Sequence, residues 1–256
     1  MWCGVVTLFP KMFDAILQDG IVGRAVKQGI LSISTWDPRD QTTDKYRTVD
    51  DRPYGGGPGM LMLAAPLRQA ITCAKKNAPS EAKVIYVTPA GKRFDQATAR
   101  RLANEKQPLV FVAGRYEGID HRVIEHDVDE MISIGDYVLS GGELAVMVII
   151  DALTRWLPGA LGHAGSASND AFSDENQGLL DCPHYTRPST IDGQSVPNVL
   201  LEGDHQAIEQ WRKQQSLGQT WLYRPDLLEK ITLDKKSETL LEEFKQTYSE
   251  NVKEHS

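Results

Sequence analysis

Five short runs of β-branched or apolar residues, at 2–9, 30–36, 83–88, 109–113 and 128–134, are bounded by Gly, Pro or Asp and read as strands buried on both faces. Between them, residues 11–28, 65–77, 95–105, 117–126 and 144–157 carry apolar side chains at helical spacing. This alternation predicts an α/β domain with a mostly parallel sheet flanked by helices. The segment 144–157 is apolar on nearly every face, which places it centrally in the packing.

The pattern changes after Pro158-Gly159, where residues 162–169 (GHAGSASN) are small and polar and specify no core. Farther on, residues 204–217, 224–230 and 236–248 read as amphipathic helices, and the tail from Ser249 is expected to fray. The predicted organisation is a first domain at 1–161, a flexible linker at 162–175 and a small helical domain at 176–256. The chain has 256 residues, 41% hydrophobic and 25% charged, a globular composition that argues against disorder and fibrous structure. Its longest apolar run, 144–150, is far short of the roughly 20 residues of a spanning helix. The amino terminus is apolar before its first base, Lys11, which reverses the order of a secretory signal. Cys3, Cys73 and Cys182 are too far apart for a zinc knuckle and odd in number for a disulfide framework. A cytoplasmic location is expected.

Net charge is −7, against a generic nucleic-acid binder. The excess acid is local: residues 1–160 hold 19 basic and 19 acidic side chains, residues 161–256 hold 9 and 16. A neutral first part can still present a basic cleft.

Candidate chemistry sits in loops. Tyr54-Gly55-Gly56-Gly57-Pro58-Gly59-Met60 is the densest glycine cluster; it can bring backbone N–H groups to a phosphate or base, or be a plain turn before the next helix, and it fits no nucleotide fingerprint. His121 and His126 flank Glu125, but five-residue spacing sets the rings about 140° apart on a helix, so a shared metal is rejected and solvent-facing positions are expected. Three glycine-bearing loops, at 88–91, 114–118 and 135–142, follow predicted strands at the edge where open α/β sheets bind ligands. They make a pocket, or three unrelated turns.

The strings RPYGGGPGM (52–60), GRYEGID (114–120), SIGDYVLSGGE (133–143) and LLDCPHYTRP (179–188), in this order and spacing, closely resemble the bacterial tRNA (guanine-37-N1)-methyltransferases of the knotted SPOUT superfamily. The resemblance runs from the opening segment to Thr220-Trp221, almost the whole chain, and implies that the first domain (1–161) binds S-adenosylmethionine and the helical domain (176–256) binds tRNA. It implies a homodimer that methylates N1 of guanosine 37, 3′ of the anticodon, when a guanosine precedes it. It also implies a trefoil knot holding S-adenosylmethionine against Tyr86, Val87, Thr88 and Pro89, then Gly114, Tyr116 and Glu117, then Ser133, Ile134, Gly135, Asp136, Tyr137, Val138, Leu139, Gly141 and Gly142. Ala145 stands where the family carries proline. Magnesium (Mg2+) enters only through the resemblance, since no ligand cluster is visible in the sequence.

By the same resemblance Asp170 is the general base for the N1 proton, Arg155 stabilises charge on O6, and Glu117 helps arrange cofactor or base. Each has a bland counterpart: Asp170 as an N-cap before Ala171-Phe172, Arg155 as a cation in the last turn of its helix, Glu117 as an acid opening a helix, and Asp136 as a turn cap. Arg52, Tyr54, Gly55, Gly56, Gly57 and Gly59 are the expected contacts for the anticodon stem-loop. The 211–213 and 221–224 clusters, Trp-Arg-Lys and Trp-Leu-Tyr-Arg, suit RNA or core packing, with packing the commoner use. Two other readings are a SPOUT methyltransferase acting at another RNA position and a non-catalytic RNA-binding module.

Overall fold

The computed structural model describes residues 1–162 and 170–254, with side chains described to residue 250. The chain divides into two compact units, Met1–Ala164 and Gly165–Ser256. Residues 163–169, all but the first of the polar stretch at 162–169 and the core of the expected linker, lie outside the described residues. Residues 170–175 form turns that pack in the second unit: Ser173 is buried and Phe172 donates its backbone N–H to Leu179 O at 2.9 Å.

The first unit begins with β1 (Trp2–Val6), a 3-10 turn (Pro10–Phe13), α1 (Asp14–Leu17), α2 (Gly20–Lys27) and β2 (Ser32–Trp36). A two-stranded hairpin of β3 (Asp50–Asp51) and β4 (Leu61–Met62) leads into α3 (Ala64–Asn77). Strands and helices then alternate as β5 (Lys83–Arg93), α4 (Gln96–Glu105), β6 (Leu109–Ala113), α5 (His121–Asp127), β7 (Glu130–Ser133) and α6 (Glu143–Thr154). The predicted single helix at 11–28 is broken, because Gly20 takes φ +71° and the chain turns there instead of continuing.

The sheet has the order β2-β1-β6-β5-β7, with every pair parallel. Its side chains alternate between two cores as a pleated strand requires. Cys3, Val5, Ile85, Val87, Leu109 and Phe111 face the core that includes Phe13, Val22, Leu102, Val146, Ile149, Ile150 and Leu153. Val6, Val84, Tyr86, Val110 and Val112 face Leu67, Ala70, Ile71 and Val123. The result is a three-layer domain with α1, α2, α4 and α6 on one side and α3 and α5 on the other. Because β6, β5 and β7 are parallel neighbours, the segments leaving their carboxyl ends share one edge.

Two elements depart from the sequence reading in ways that shape that edge. Residues 83–88 extend to Arg93, because the chain bulges after Val87 and Lys92 and Arg93 pair again with Ile132 and Ser133 of β7. Gly91 lies so close to β7 that a Cβ there would sit 2.6 Å from Ile132 Cα. Helix α6 is not covered all round: Val146, Ile149, Ile150 and Leu153 are buried, whereas Leu144 and Val148 are each 49% exposed and lie one turn apart on one face.

In the second unit, a small hairpin of β8 (Thr190–Ile191) and β9 (Gln194–Ser195) precedes α7 (His205–Tyr223), α8 (Pro225–Leu228) and α9 (Lys235–Glu254). Asp204 caps α7 by accepting from the N–H groups of Gln206 and Ala207, the usual side-chain solution for orphan donors. Leu179, Leu217, Leu240 and Leu241 form the core. The tail expected to fray is helical, since α9 continues to Glu254.

Candidate active site

The three expected loops line one cavity of about 220 Å³ in the first unit. Tyr86, Val87, Thr88 and Pro89 come from β5, Gly114, Tyr116 and Glu117 follow β6, and Ser133, Ile134, Gly135, Tyr137, Val138, Leu139, Gly141 and Gly142 follow or end β7. Arg115 and Gly118, inside the expected 114–118 loop, line it as well, and so do Ile132 and Ala145, which the sequence did not single out as pocket residues. Asp136 does not line it. The Tyr137 ring folds back beside Gly135, its Cε1 2.5 Å from where a Cβ would stand there, and Asp136 between them is exposed. Ala145 sits in the first turn of α6, which begins regularly at Glu143.

Backbone contacts bind the loops to each other. Gly142 donates its N–H to Gly114 O at 2.8 Å, and Arg115 forms an antiparallel bridge with Gly141. Tyr86 is buried against Gly114. Burial pushes its phenol above the usual 10, so it stays protonated and able to donate at physiological pH. The Tyr116 phenol is likewise pushed up, by burial and by the Asp50 carboxylate, to which its hydroxyl donates at 3.3 Å.

Beneath the cavity a buried ionic cluster ties distant segments. Glu143 is fully buried. Its Oε1 accepts from Thr7 Oγ1 at 2.9 Å and its Oε2 lies 2.8 Å from Arg115 Nε. That second contact is a charge contact, since the N–H does not point along it. The Arg115 guanidinium also donates to Ser140 O at 3.0 Å and sits 4.3 Å from the Phe9 ring centre, a cation–π distance. One arginine thus ties the loops after β6 and β7 to the start of α6 and to the segment that follows β1.

Glu117 does not open a helix. Its N–H is taken by Met60 O at 3.0 Å, and Gly118 O accepts from Met62 N at 2.9 Å, so the segment is captured by β4 as a turn. Helix α5 starts only at His121, with Asp120 as N-cap accepting from Arg122 N. Hydrogen bonds from the Arg122 guanidinium at 2.6 and 2.9 Å hold the Asp120 carboxyl down to about 2, from 3.8. Its folded value lies below the unfolded one, so its contribution is complete above pH 3.8 and is lost as pH falls toward about 2. Asp120→Ala is expected to cost about 1 kcal/mol at neutral pH, read from thermal melts, with the difference shrinking across that acid window. His121, Glu125 and His126 are exposed, as expected from their spacing.

The glycine cluster is the tip of the β3–β4 hairpin, not a turn leading directly into a helix. Arg52, Tyr54, Gly55, Gly56 and Gly57 are all exposed. Gly59 lies beside Glu117, which lines the cavity. It takes φ +85°, and a Cβ there would lie 2.6 Å from Glu117 Oε1, so any side chain both strains the backbone and displaces Glu117.

Arg155 and Asp170 stand apart from the cavity's lining. Arg155 is the C-cap of α6, half-buried, while the cavity meets that helix at Gly142 and Ala145. The 12 residues of α6 span about 18 Å. Asp170 belongs to the second unit, where it lies in a bend followed by a turn. No helix follows it, and Phe172 takes φ +63°, so the N-cap reading fails.

Among the described residues, one grouping of metal-ligating side chains is present, Asp181, Cys182 and His184. It lies in the second unit, with His184 Nε2 3.0 Å from Asp181 Oδ2. No such grouping lies at the cavity. The three cysteines are free, and no helix is long and apolar enough to cross a membrane among the described residues. The two aromatic-basic clusters divide: Trp221 packs on the leucine core and edge-on to Tyr248 at 6.0 Å, whereas Trp211 borders a cleft with Tyr185.

Comparison with known proteins matches residues 1–230 to the family described as tRNA (Guanine-1)-methyltransferase TrmD. A protein of Chromohalobacter salexigens, named tRNA (guanine-N(1)-)-methyltransferase, is 58% identical over 98% of this chain and 96% of its own length. Proteins with the same name from Pseudoalteromonas translucida and Escherichia fergusonii are 58% and 56% identical, over 97% and 100% of this chain and 96% and 98% of their own lengths. The chain belongs to the tRNA (guanine-1)-methyltransferase family.

Proposed function

We propose that the protein transfers a methyl group from S-adenosylmethionine to N1 of guanosine 37 of tRNA, in tRNAs whose residue 36 is also guanosine. The observation that carries this reading is the convergence of the three motif loops on one cavity in a chain of this family. The cavity suits the cofactor: Ile132, Ile134, Val138, Leu139 and Ala145 offer aliphatic walls to a planar base, while Gly114, Gly135 and Gly141 leave backbone groups bare for its polar edges. The Glu117 carboxylate suits a neighbouring sulfonium cation. When bound, the cofactor supplies an electrophilic methyl group. The same three loops are the segments of the trefoil knot that the family resemblance implies.

The guanine N1 carries a proton at neutral pH and its lone pair is engaged in the ring, so attack requires removal of that proton. Asp170 accepts it. Negative charge then grows on O6, where the Arg155 guanidinium stabilises it. A positioned base contributes about 10²–10⁴-fold, and one donor of this kind about 3–4 kcal/mol. Alignment of the reacting atoms contributes as much as roughly 7–11 kcal/mol, so the rigid loops matter as much as the base. The hairpin tip, with Arg52, exposed Tyr54 and the glycines beside it, is suited to hold the extruded guanosine and its neighbours.

Arg155 lies a helix length from the cavity of its own chain, farther than its side chain reaches. A second copy supplies it in this reading, and the site spans the two subunits of a homodimer. The exposed Leu144, Val148 and Val138 give that partner an apolar face to cover. Sedimentation is expected to give twice the chain mass; a monomer that is fully active contradicts the shared site.

Incubating the protein with methyl-labelled S-adenosylmethionine and unmodified tRNAs that differ only at residues 36 and 37 tests the reaction. Nucleoside analysis is expected to find 1-methylguanosine only where both are guanosine. Label on a ribose, or at another position, identifies a different methyltransferase.

A further inference from the structure

Asp181, Cys182 and His184 lie on one short segment of the second unit, and a carboxylate oxygen, the thiol sulfur and an imidazole nitrogen there all fall within 4.8 Å of one another. A tetrahedral zinc ion with bonds of about 2.0–2.3 Å sets its ligand atoms about 3.3–3.8 Å apart, so small side-chain rotations close this set around one ion. Asp181 Oδ2 and His184 Nε2 are already 3.0 Å apart.

The segment is held in place by contacts that need no ion. Leu180 donates its N–H to Thr220 Oγ1 at 3.0 Å, and its carbonyl accepts from Ser216 Oγ at 2.5 Å, which moors the chain to α7 next to the first of the three residues. The Cys182 N–H donates to Asp181 Oδ1 at 2.8 Å, which turns the other carboxylate oxygen toward His184. Pro183, between Cys182 and His184, has its φ fixed by its ring, and Cys182 is only 7% exposed. Little conformational freedom is left to lose on binding. The surrounding cleft adds the carboxylates of Asp170, Glu175 and Glu209, against the cations Arg212 and Lys213, and Lys213 Nζ is engaged by Gln177 Oε1 at 2.8 Å. The balance of charge favours a cation. The donors select which one: magnesium and calcium take oxygen ligands, whereas a thiolate beside an imidazole and a carboxylate suits zinc.

We propose that Asp181, Cys182 and His184 bind a zinc ion, with water in the fourth position. On binding, the Cys182 S–H bond breaks, its proton passes to solvent and a sulfur–zinc bond forms. His184 coordinates through Nε2 as the neutral ring with its proton on Nδ1, and its hydrogen bond to Asp181 is exchanged for two bonds to the metal. The site goes beyond the methyl transfer and does not depend on it.

The test uses the full chain without a histidine tag, kept reduced and stripped with chelator. Titration with cobalt(II), the spectroscopic stand-in for zinc, is expected to give one equivalent of a four-coordinate complex with a thiolate-to-cobalt charge-transfer absorption, which zinc bleaches and excess magnesium does not. Cys73→Ser keeps that absorption and Cys182→Ser abolishes it; Asp181→Asn and His184→Ala are expected to weaken cobalt binding by about tenfold or more. Zinc is expected to protect Cys182 of the parent from alkylation, mapped by mass spectrometry, which identifies the thiol without relying on a variant that folds. A cobalt spectrum of the parent that lacks the charge-transfer absorption, or one that persists in Cys182→Ser, overturns the proposal and leaves the three residues as a hydrogen-bonded group.

Discussion

Asp170→Ala is expected to slow methyl transfer by about 10²–10⁴-fold while tRNA and cofactor affinities stay near those of the parent. The expectation follows from chemistry at N1. Without a group to take the ring proton, the attacking lone pair is not available, whereas Asp170 is not among the residues that line the cofactor cavity. Asp170→Asn is the sharper variant, because it keeps the size and the hydrogen-bonding capacity and removes only the ability to accept the proton. A catalytic role predicts comparable losses in the two variants, whereas a structural role predicts Asn close to the parent. The turn around Asp170, with no helix following it, removes capping as the explanation for an aspartate here. Single-turnover kinetics with both substrates saturating measure the effect; turnover by Asp170→Asn at the parent rate removes Asp170 from the mechanism.

Glu143→Ala is expected to produce the largest loss of stability in the first unit. The carboxylate is fully buried, accepts from Thr7 and faces Arg115 at 2.8 Å. Removing one member of a buried pair costs about 3–5 kcal/mol, because it strands the other charge away from water. The Arg115 side chain retains 16% exposure, which places the expected cost toward the lower end of that range. Glu143→Gln loses the charge but can still accept from Thr7, so an intermediate effect is expected. The double variant Arg115→Met/Glu143→Leu recovers much of the loss, since replacing both charges with apolar groups removes the stranded ion. Denaturant titration followed by cofactor binding reads both consequences. Arg115 also holds Ser140 O, so the single variants weaken cofactor affinity, and the double variant regains stability without regaining that affinity. Equal stability of Glu143→Ala and the parent contradicts this account of the loops.

The strands and most helices were legible because their signals are local. Residues 84–87 and 109–113 are β-branched, aliphatic or aromatic throughout, and the structure buries them on both faces. The single helix expected over 11–28 failed at Gly20, whose left-handed backbone breaks a pattern that is otherwise periodic. The helix expected from Glu117 failed for a tertiary reason: β4 captures Glu117 and Gly118 through main-chain bonds that no local propensity announces. In the site, glycine-rich loops after strands pointed to the cavity, and the motifs supplied their residues. The Thr7–Glu143–Arg115 cluster was invisible, because its first contact joins residues 136 positions apart and Glu143 taken alone reads as an acid suited to a helix start. Trp211 and Trp221 looked alike in sequence; only their neighbours, a leucine core for one and an open tyrosine for the other, separate them.

Crystals of the protein soaked with S-adenosylmethionine test the central claim most directly. The account predicts the adenosine against Gly114 and the 134–142 loop, with the sulfonium methyl group directed toward the side of the cavity where Glu117 and Gly59 meet. Density for the cofactor at any other place, or a methyl group turned away from that edge, contradicts it.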